Sequence, residues 1–211
     1  MKKLFYSTIL AFSAAITAVS GASFEENFNG DKLASEWQIF WQEKCDTIES
    51  IVKNNTLTIK GLKNAKLGAN ASYDRFIGEI GGDFDLRCEI AWQAAKPEIA
   101  GSYGMSVSNA NGESFFRVSF TGSADGKKFT ISGRPGHQSQ LIKSTPLTVK
   151  APAKGVLTVT RRKSIYVICW DKTEVARVNS DCADASLYRI TINGINPGSL
   201  SLRKMLLKSV E

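Results

Sequence analysis

The sequence has few of the residues and spacings that indicate a catalytic or metal site. It has one histidine, His137, in a loop with Gly and Pro neighbours and no evident partner, so a histidine-based catalytic pair is not expected. It has no Cys-x-x-Cys spacing, so a structural zinc site is not expected. Amphipathic helical periodicity is almost absent, which argues against a helical bundle.

Only the N-terminus contains a long apolar run. Lys2 and Lys3 precede the run Leu4–Val19, and the small residues Ser20–Ala22 follow it. We therefore expect a signal peptide over residues 1–22, cleaved after Ala22, and a secreted or periplasmic domain over residues 23–211. An uncleaved membrane anchor is the alternative, but the run is short for a span. No later stretch approaches spanning length, so no membrane span is expected in the mature chain.

The basic residues outnumber the acidic residues by a small margin. The formal charge is +7, and it falls to +5 when Lys2 and Lys3 leave with the signal peptide. The remaining basic residues are scattered along the chain, and the short clusters Arg161–Lys163 and Lys127–Lys128 lie at predicted turns. This distribution favours ordinary solvated charge over nucleic-acid binding, while affinity for an acidic polysaccharide or a cell surface stays open.

The four cysteines are an even number in a chain that we expect to be exported. Cys45, Cys88, Cys169 and Cys182 permit two disulfides in three pairings, and the sequence selects none of them. The alternative is that Cys88 and Cys169, both within strand patterns, are small buried thiols. We expect at least one disulfide.

Alternation of apolar and polar residues dominates the mature chain. In Asp83–Trp92 the apolar residues face one way and Asp85, Arg87 and Glu89 face the other. Leu157–Val178 reads as strands joined by a polar break at Arg161–Ser164 and a tight turn at Asp171–Thr173. More than ten such short runs, separated by Asn, Gly, Asp and Ser turns, predict one all-β antiparallel sandwich domain.

The order of these strand patterns also resembles a known superfamily. The segments that carry the resemblance are Phe24–Gly30, Asn55–Gly61, Gly82–Glu89, Gly155–Arg161, Val167–Ala176 and Leu200–Lys208. They are similar to the concanavalin A-like lectin/glucanase superfamily, in its laminin-G-like branch, and in particular to bacterial exported domains of the keto-disaccharide hydrolase type. The resemblance implies a two-sheet antiparallel jelly roll with one concave sheet. Its members bind or cleave polysaccharides on that sheet or its rim, and others only mediate contacts.

The carboxylates of this sequence depart from the superfamily's hydrolase pattern. Laminarinase-like members carry three carboxylates at E-x-D-x-x-E or E-x-D-x-E spacing, whereas the nearest stretch here is Glu79–Asp85, interrupted by two glycines. Asp85 and Glu89 share a strand face and are the only catalytic candidates that we name for a glycoside hydrolase. Because Arg87 lies between them, an ion-paired solvent face explains the same residues.

The resemblance also raises calcium, which laminin-G-like domains hold with oxygen ligands at the sandwich rim. The loop carboxylates that could serve are Asp125, Asp171, Asp181 and Asp184. No D-x-D-x-D loop is present, so turn-forming Asp is the simpler interpretation of each, and no cofactor is expected beyond this calcium alternative.

Aromatic residues are the remaining candidates for a sugar site. Trp37 and Trp92 are expected in the core, whereas Trp41 and Trp170 adjoin polar loops or turns and are candidate stacking platforms. Tyr103 and Arg117 are placed on the face that a ligand would contact.

The leading hypothesis from the sequence is therefore an exported carbohydrate-binding or accessory module without a recognisable catalytic motif. A keto-disaccharide-type glycoside hydrolase and a structural or protein-interaction domain are the alternatives. The expected partner is a polysaccharide or glycan, and nucleic acid is not expected.

Overall fold

The structure is a computed structural model that describes residues 23–43, 48–61, 70–93, 102–108, 114–122, 127–135, 146–179, 187–195 and 199–210. The predicted signal peptide, residues 1–22, lies outside these ranges. Within them the regular structure consists of β-strands. No helix in these ranges is long and apolar enough to cross a membrane.

Fifteen strands are described. In chain order they are β1 (Ser23–Glu26), β2 (Trp37–Glu43), β3 (Ile48–Val52), β4 (Leu57–Gly61), β5 (Asn70–Ile80), β6 (Asp83–Gln93), β7 (Ser102–Ser108), β8 (Ser114–Gly122), β9 (Lys128–Pro135), β10 (Leu147–Lys150), β11 (Ala153–Arg162), β12 (Ile165–Trp170), β13 (Thr173–Asn179), β14 (Leu187–Ile195) and β15 (Ser199–Val210).

The strands form two antiparallel sheets. The eight-stranded sheet has the order β13-β12-β11-β6-β15-β4-β3, with β1 also paired to β15. On that side of β15, Ser199–Leu202 pairs with β4 and Met205–Lys208 pairs with β1. The seven-stranded sheet has the order β10-β9-β8-β7-β14-β5-β2. Non-consecutive strands are neighbours in both sheets, and the predicted all-β antiparallel sandwich is confirmed.

The strongest alternation in the sequence forms the middle of the eight-stranded sheet. Strand β6 alternates between buried and less buried residues along its whole length, and it pairs with β11 on one side and β15 on the other. The predicted β11–β12–β13 meander is also confirmed, with its turns at Lys163 and Asp171. At the second turn, the Asp171 Oδ1 accepts a hydrogen bond from the Val156 N–H at 2.9 Å. This bond fixes the turn to the strand beside it.

Aromatic rings from both sheets fill one part of the core. Trp92 of β6 stacks on Phe129 of β9 with ring centroids 5.0 Å apart. Trp170 of β12 meets Phe120 and Phe129 edge to face at 6.2 and 5.9 Å. Such pairs add specific geometry to the burial of a large apolar area. The predicted core position of Trp92 is confirmed, and Trp37 is buried as well.

A buried ionic network joins the first strand to the opposite sheet. Glu26 of β1 accepts hydrogen bonds from the Phe28 N–H at 2.8 Å, the Trp37 Nε1–H at 2.9 Å and the Arg75 Nη1–H at 2.6 Å. The guanidinium of Arg75 also lies over the Phe24 ring, 5.3 Å from its centroid. Because β1 belongs to one sheet and β2 and β5 to the other, this network ties the two layers together.

Two of the four cysteines lie in described strands, and both are free thiols. Cys88 of β6 is buried on the inner face, whereas Cys169 of β12 is half-buried between two inward residues. Cys88 and Cys169 do not bond to each other, since the two thiols are on opposite faces of the sheet, and the alternative that both are free thiols fits their placement. The expectation of at least one disulfide stays a prediction. The pairing that leaves both free joins Cys45 to Cys182, and these lie outside the described residues.

We predict that iodoacetamide modifies Cys169 in the folded protein and leaves Cys88 unmodified until urea unfolds the chain. Burial, with a smaller contribution from the Glu89 carboxylate, raises the pKa of the Cys88 thiol far above its usual range, so the reactive thiolate does not form. Peptide mapping by mass spectrometry measures both sites. Equal modification of the two thiols under native conditions would contradict this burial.

Candidate functional site

A row of polar side chains crosses the outer face of the seven-stranded sheet. Arg117 of β8 pairs with Ser106 of β7, which pairs with Thr191 of β14. Thr191 pairs with Asp74 of β5, and Asp74 pairs with Gln38 of β2. We call these five residues the polar row. Their neighbours along the strands are mostly core residues, so alternation places the row on the face away from the core.

Asp74 is the most unusual member of the polar row. It is only 4% exposed, although it lies on the outer side of β5. Its Oδ2 is 3.1 Å from the Arg189 Nη1, and the Arg189 Nε–H donates a hydrogen bond to the Ser108 Oγ at 3.3 Å. The other carboxylate oxygen, Oδ1, has no hydrogen-bond partner among the described atoms.

An unsatisfied oxygen on a buried carboxylate is costly, since the group has lost water without gaining a donor. The ion pair with Arg189 holds the two side chains together, with the Arg189 side chain 19% exposed and the Asp74 side chain 5% exposed. Oδ1 itself is out of contact with solvent, so a ligand would contact the guanidinium rather than this oxygen. Asp74 therefore positions Arg189 beside the polar row.

An exposed aromatic ring adjoins this pair. Phe76 follows Asp74 by two residues on β5, so it shares the outer face, and it pairs in register with Arg189 of β14. Its exposed fraction is 54%, and the other exposed large apolar residues within the described ranges are Ile39 at 59% and Ile165 at 43%. An exposed ring next to polar groups suits a ligand that has both apolar and hydroxyl faces.

Sequence reasoning missed Asp74, Phe76 and Arg189. Residues 61–82 read mostly as loop, because an inward position of strand β5 is occupied by Arg75 rather than by a hydrophobic residue. The alternation of inward and outward residues is also interrupted at Gly78, which has a φ of 75° beside an irregularity in the β5–β14 pairing. The pattern that could have indicated this strand is the alternation of Tyr73, Arg75 and Ile77, of which the middle residue is charged.

The residues that the sequence predicts as ligand-binding differ in where the structure places them. Arg117 is exposed in the polar row, as expected for a residue that faces a ligand. Trp41 lies opposite Ser72 at the edge strand β2, and its side chain lies outside the described residues.

Two of the aromatic predictions are wrong. Tyr103 is buried on the inner side of β7, where burial raises the pKa of its hydroxyl. Trp170 is 4% exposed and lies flat against Gly155, where a Cβ would come within 2.5 Å of the indole ring. Both side chains belong to the core because their strand positions alternate with outward residues.

The two catalytic candidates lie on the outer face of the other sheet, and each is in an ion pair. Asp85 is 2.7 Å from Arg162, and Glu89 is 3.8 Å from Arg87. The ion-paired solvent face explains these residues.

The calcium candidates are only partly described. Asp171 uses Oδ1 to accept the Val156 N–H, as a turn residue does. Asp125, Asp181 and Asp184 lie outside the described residues. In the part of the chain that the structure describes, no three His, Cys, Asp or Glu residues are grouped to hold a metal ion.

Comparison with known proteins gives a likeness in structure but not in sequence. No protein-family model and no curated protein sequence matches this chain. The CBM2 module of the evolved Dit of Lactobacillus casei BL23 phage J-1 is 9% identical with a TM-score of 0.63, covering 92% of this chain and 99% of that chain. The carbohydrate recognition domain of Emp47p is 10% identical with a TM-score of 0.62, covering 90% and 96%.

A third similar structure was described with endo-acting O-glycanases that human gut bacteria express to initiate mucin breakdown. It is 11% identical with a TM-score of 0.62, covering 89% of this chain and 99% of that chain. At these identities the likeness shows the fold. The chain has a two-sheet jelly-roll sandwich fold like these three structures, as the sequence resemblance implied.

Proposed function

We propose that this protein is a glycan-binding module and that its binding surface is the outer face of the seven-stranded sheet, around the polar row and Phe76. The observation that carries the proposal is the Phe76 ring, which is 54% exposed and in register with Arg189, whose guanidinium lies 3.1 Å from the buried Asp74 carboxylate. An exposed ring beside a fixed guanidinium suits a ligand that has both C–H and hydroxyl groups.

The chemistry of this surface matches the chemistry of a sugar ring. A guanidinium donates hydrogen bonds to hydroxyl oxygens, so Arg189, fixed by Asp74 at 3.1 Å, can bind a sugar hydroxyl. The Phe76 ring beside them can pack against the C–H face of the sugar.

The polar row gives this surface the length to bind more than one sugar. Arg117 and Asp74 are three strand spacings apart, or about 14 Å. The intervening residues, Ser106 and Thr191, have short hydroxyl side chains that can donate and accept hydrogen bonds. An extended glycan lying across the strands would therefore meet hydrogen-bonding groups along its path.

The similar structures support the same ligand class without assigning it. Their names describe a CBM2 module, a carbohydrate recognition domain and endo-acting O-glycanases. The N-terminal signal-peptide pattern supports export to a secreted or periplasmic location, where such glycans occur. The ion pairs of Asp85 with Arg162 and of Glu89 with Arg87 account for these two carboxylates without hydrolysis of the keto-disaccharide type.

A screen of the purified protein against neutral and acidic polysaccharides, with calcium and then with chelator, tests this proposal. We expect glycan binding, and we expect Arg117→Ala to weaken the binding of the best neutral ligand by about tenfold, as loss of a hydrogen bond from a charged group predicts. Chelator sensitivity would add calcium, with Asp125, Asp181 and Asp184, the carboxylates of predicted loops, as candidate ligands.

Arg177→Ala is the matched control. Arg177 is an exposed arginine on the outer face of the other sheet, where it pairs with Glu174 at 2.7 Å, so its loss should leave neutral glycan binding unchanged. Absence of binding across the panel, or equal losses in the two variants, would overturn the proposal and favour a protein-interaction domain.

A further inference from the structure

The outer face of the eight-stranded sheet carries a groove that the glycan proposal does not use. Its central part has a volume of about 390 Å³ and lies over β6, β11 and β15 next to the β3–β4 turn. The polar side chains that line it are Lys154, Arg203, Glu89, Ser201, Thr56 and Asn54. We call this depression the basic groove.

The basic groove continues in both directions along the sheet. At one end a hollow of about 270 Å³ shares Glu89 and Arg203 with it and adds Lys204 and two Asn residues. At the other end a hollow of about 240 Å³ shares Lys154 and Ser201 with it and adds Gln93 and Ser199. The three adjoining hollows together form a trough, and the basic groove is its central part. The length of the trough suits an extended chain rather than a compact small molecule.

An irregularity in β15 concentrates positive charge in this trough. Leu202 pairs with Ile90, but the next paired residue of β15 is Met205, opposite Cys88. Two residues, Arg203 and Lys204, therefore stand opposite the single residue Glu89. Both are exposed, whereas strict alternation would turn one of them inward. A bulge of this kind redirects side chains and is frequent near binding sites.

Two of the cations in the trough are not neutralised by neighbouring carboxylates. Lys204 is 3.2 Å from Glu25, and nearby Arg87 is 3.8 Å from Glu89. Lys154 and Arg203 have no ion-pair partner among the described residues, so they present charge that a ligand can use. Glu89 is the one carboxylate that lines the described groove.

We propose that the basic groove binds a linear acidic polysaccharide through Lys154 and Arg203, which contact its carboxylate or sulfate groups. The amide and hydroxyl side chains along the trough can bind the sugar hydroxyls between the charged groups. Binding of single-stranded nucleic acid normally adds aromatic platforms for the bases, and the described lining has no exposed aromatic residue. This second site lies on the opposite sheet from the polar row.

The test compares wild-type protein with the double variant Lys154→Ala/Arg203→Ala. Binding is measured to polygalacturonate, to dextran sulfate and to neutral dextran. We expect wild type to bind one or both acidic chains, weakening as salt rises, and to bind neutral dextran at least tenfold less tightly. The double variant should lose at least tenfold in affinity for the acidic chain. The better of the two acidic chains separates carboxylate from sulfate recognition.

The matched control is Lys172→Ala/Arg177→Ala, which removes two exposed cations of the same sheet outside the trough and should bind as wild type does. Arg117→Ala should also keep acidic-chain binding, so failure of the polar row and failure of the basic groove are distinguishable. Unchanged affinity in the Lys154→Ala/Arg203→Ala variant would overturn the proposal, as would tighter binding to oligo-dT or to anionic lipid vesicles than to either acidic chain.

Discussion

Replacing Glu26 with alanine should lower the free energy of unfolding by about 3–5 kcal/mol, the cost typical of removing one partner from a buried ion pair. The substitution leaves the Arg75 guanidinium without its carboxylate, and it removes the acceptor of the Trp37 indole N–H and the Phe28 N–H. Because Glu26 belongs to one sheet while Arg75 and Trp37 belong to the other, the loss loosens contact between the layers. Urea denaturation followed by tryptophan fluorescence measures the change.

Glu25→Ala is the matched control for this experiment. Glu25 is the preceding residue of β1, but its side chain is exposed and pairs with Lys204 at 3.2 Å. The Asn27 amide and the Lys204 ammonium lower the pKa of its carboxyl. Both Glu25 and Lys204 are at the solvent-exposed surface. Its substitution should change stability little. Similar urea midpoints for the two variants would contradict the assignment of Glu26 as an inter-sheet tie.

Replacing Phe76 with alanine should reduce affinity for the best neutral glycan by tenfold or more. The ring is 54% exposed and lies next to the Asp74–Arg189 pair, so truncation removes the apolar platform without creating a cavity in the core. A loss of about 1.4 kcal/mol corresponds to a factor of ten in the dissociation constant. Isothermal titration calorimetry with the neutral ligand from the polysaccharide screen measures the effect.

Ile165→Ala provides the comparison, since Ile165 is a large apolar residue, 43% exposed, on the outer face of the other sheet. It should bind the neutral glycan as wild type does, and thermal unfolding should show both variants folded. Retention of full affinity by Phe76→Ala would remove the ring from the binding surface.

Much of the fold was predictable because alternation in several strands is unbroken. In β6 the buried positions include Phe84, Leu86 and Ile90, and the polar positions between them face outward as the sequence predicts. The β11–β12–β13 meander was predictable for the same reason, with turn residues at its two reversals. The pairing of distant strands, such as β15 with β6, was not predictable from local pattern, since it depends on contacts far apart in the chain.

The candidate site was less accessible to sequence reasoning. A tryptophan beside a hairpin turn looks exposed in sequence, but Trp170 packs into the core because Gly155 on the neighbouring strand leaves space for its ring. Conversely, Asp74 and Arg189 look like ordinary surface charges, and only the strand register brings them together. Site residues that come from different strands are fixed by pairing, which single-sequence patterns do not encode.

The most direct test of the proposed glycan surface is a map of backbone amide chemical-shift changes when the neutral ligand from the screen is added to the labelled protein. We expect changes concentrated on β5, β7, β8 and β14, around Asp74, Phe76, Arg117 and Arg189, with little change on β6, β11 and β15. Changes concentrated instead on β6, β11 and β15 would contradict the proposed surface, because they would place neutral glycan binding on the opposite sheet.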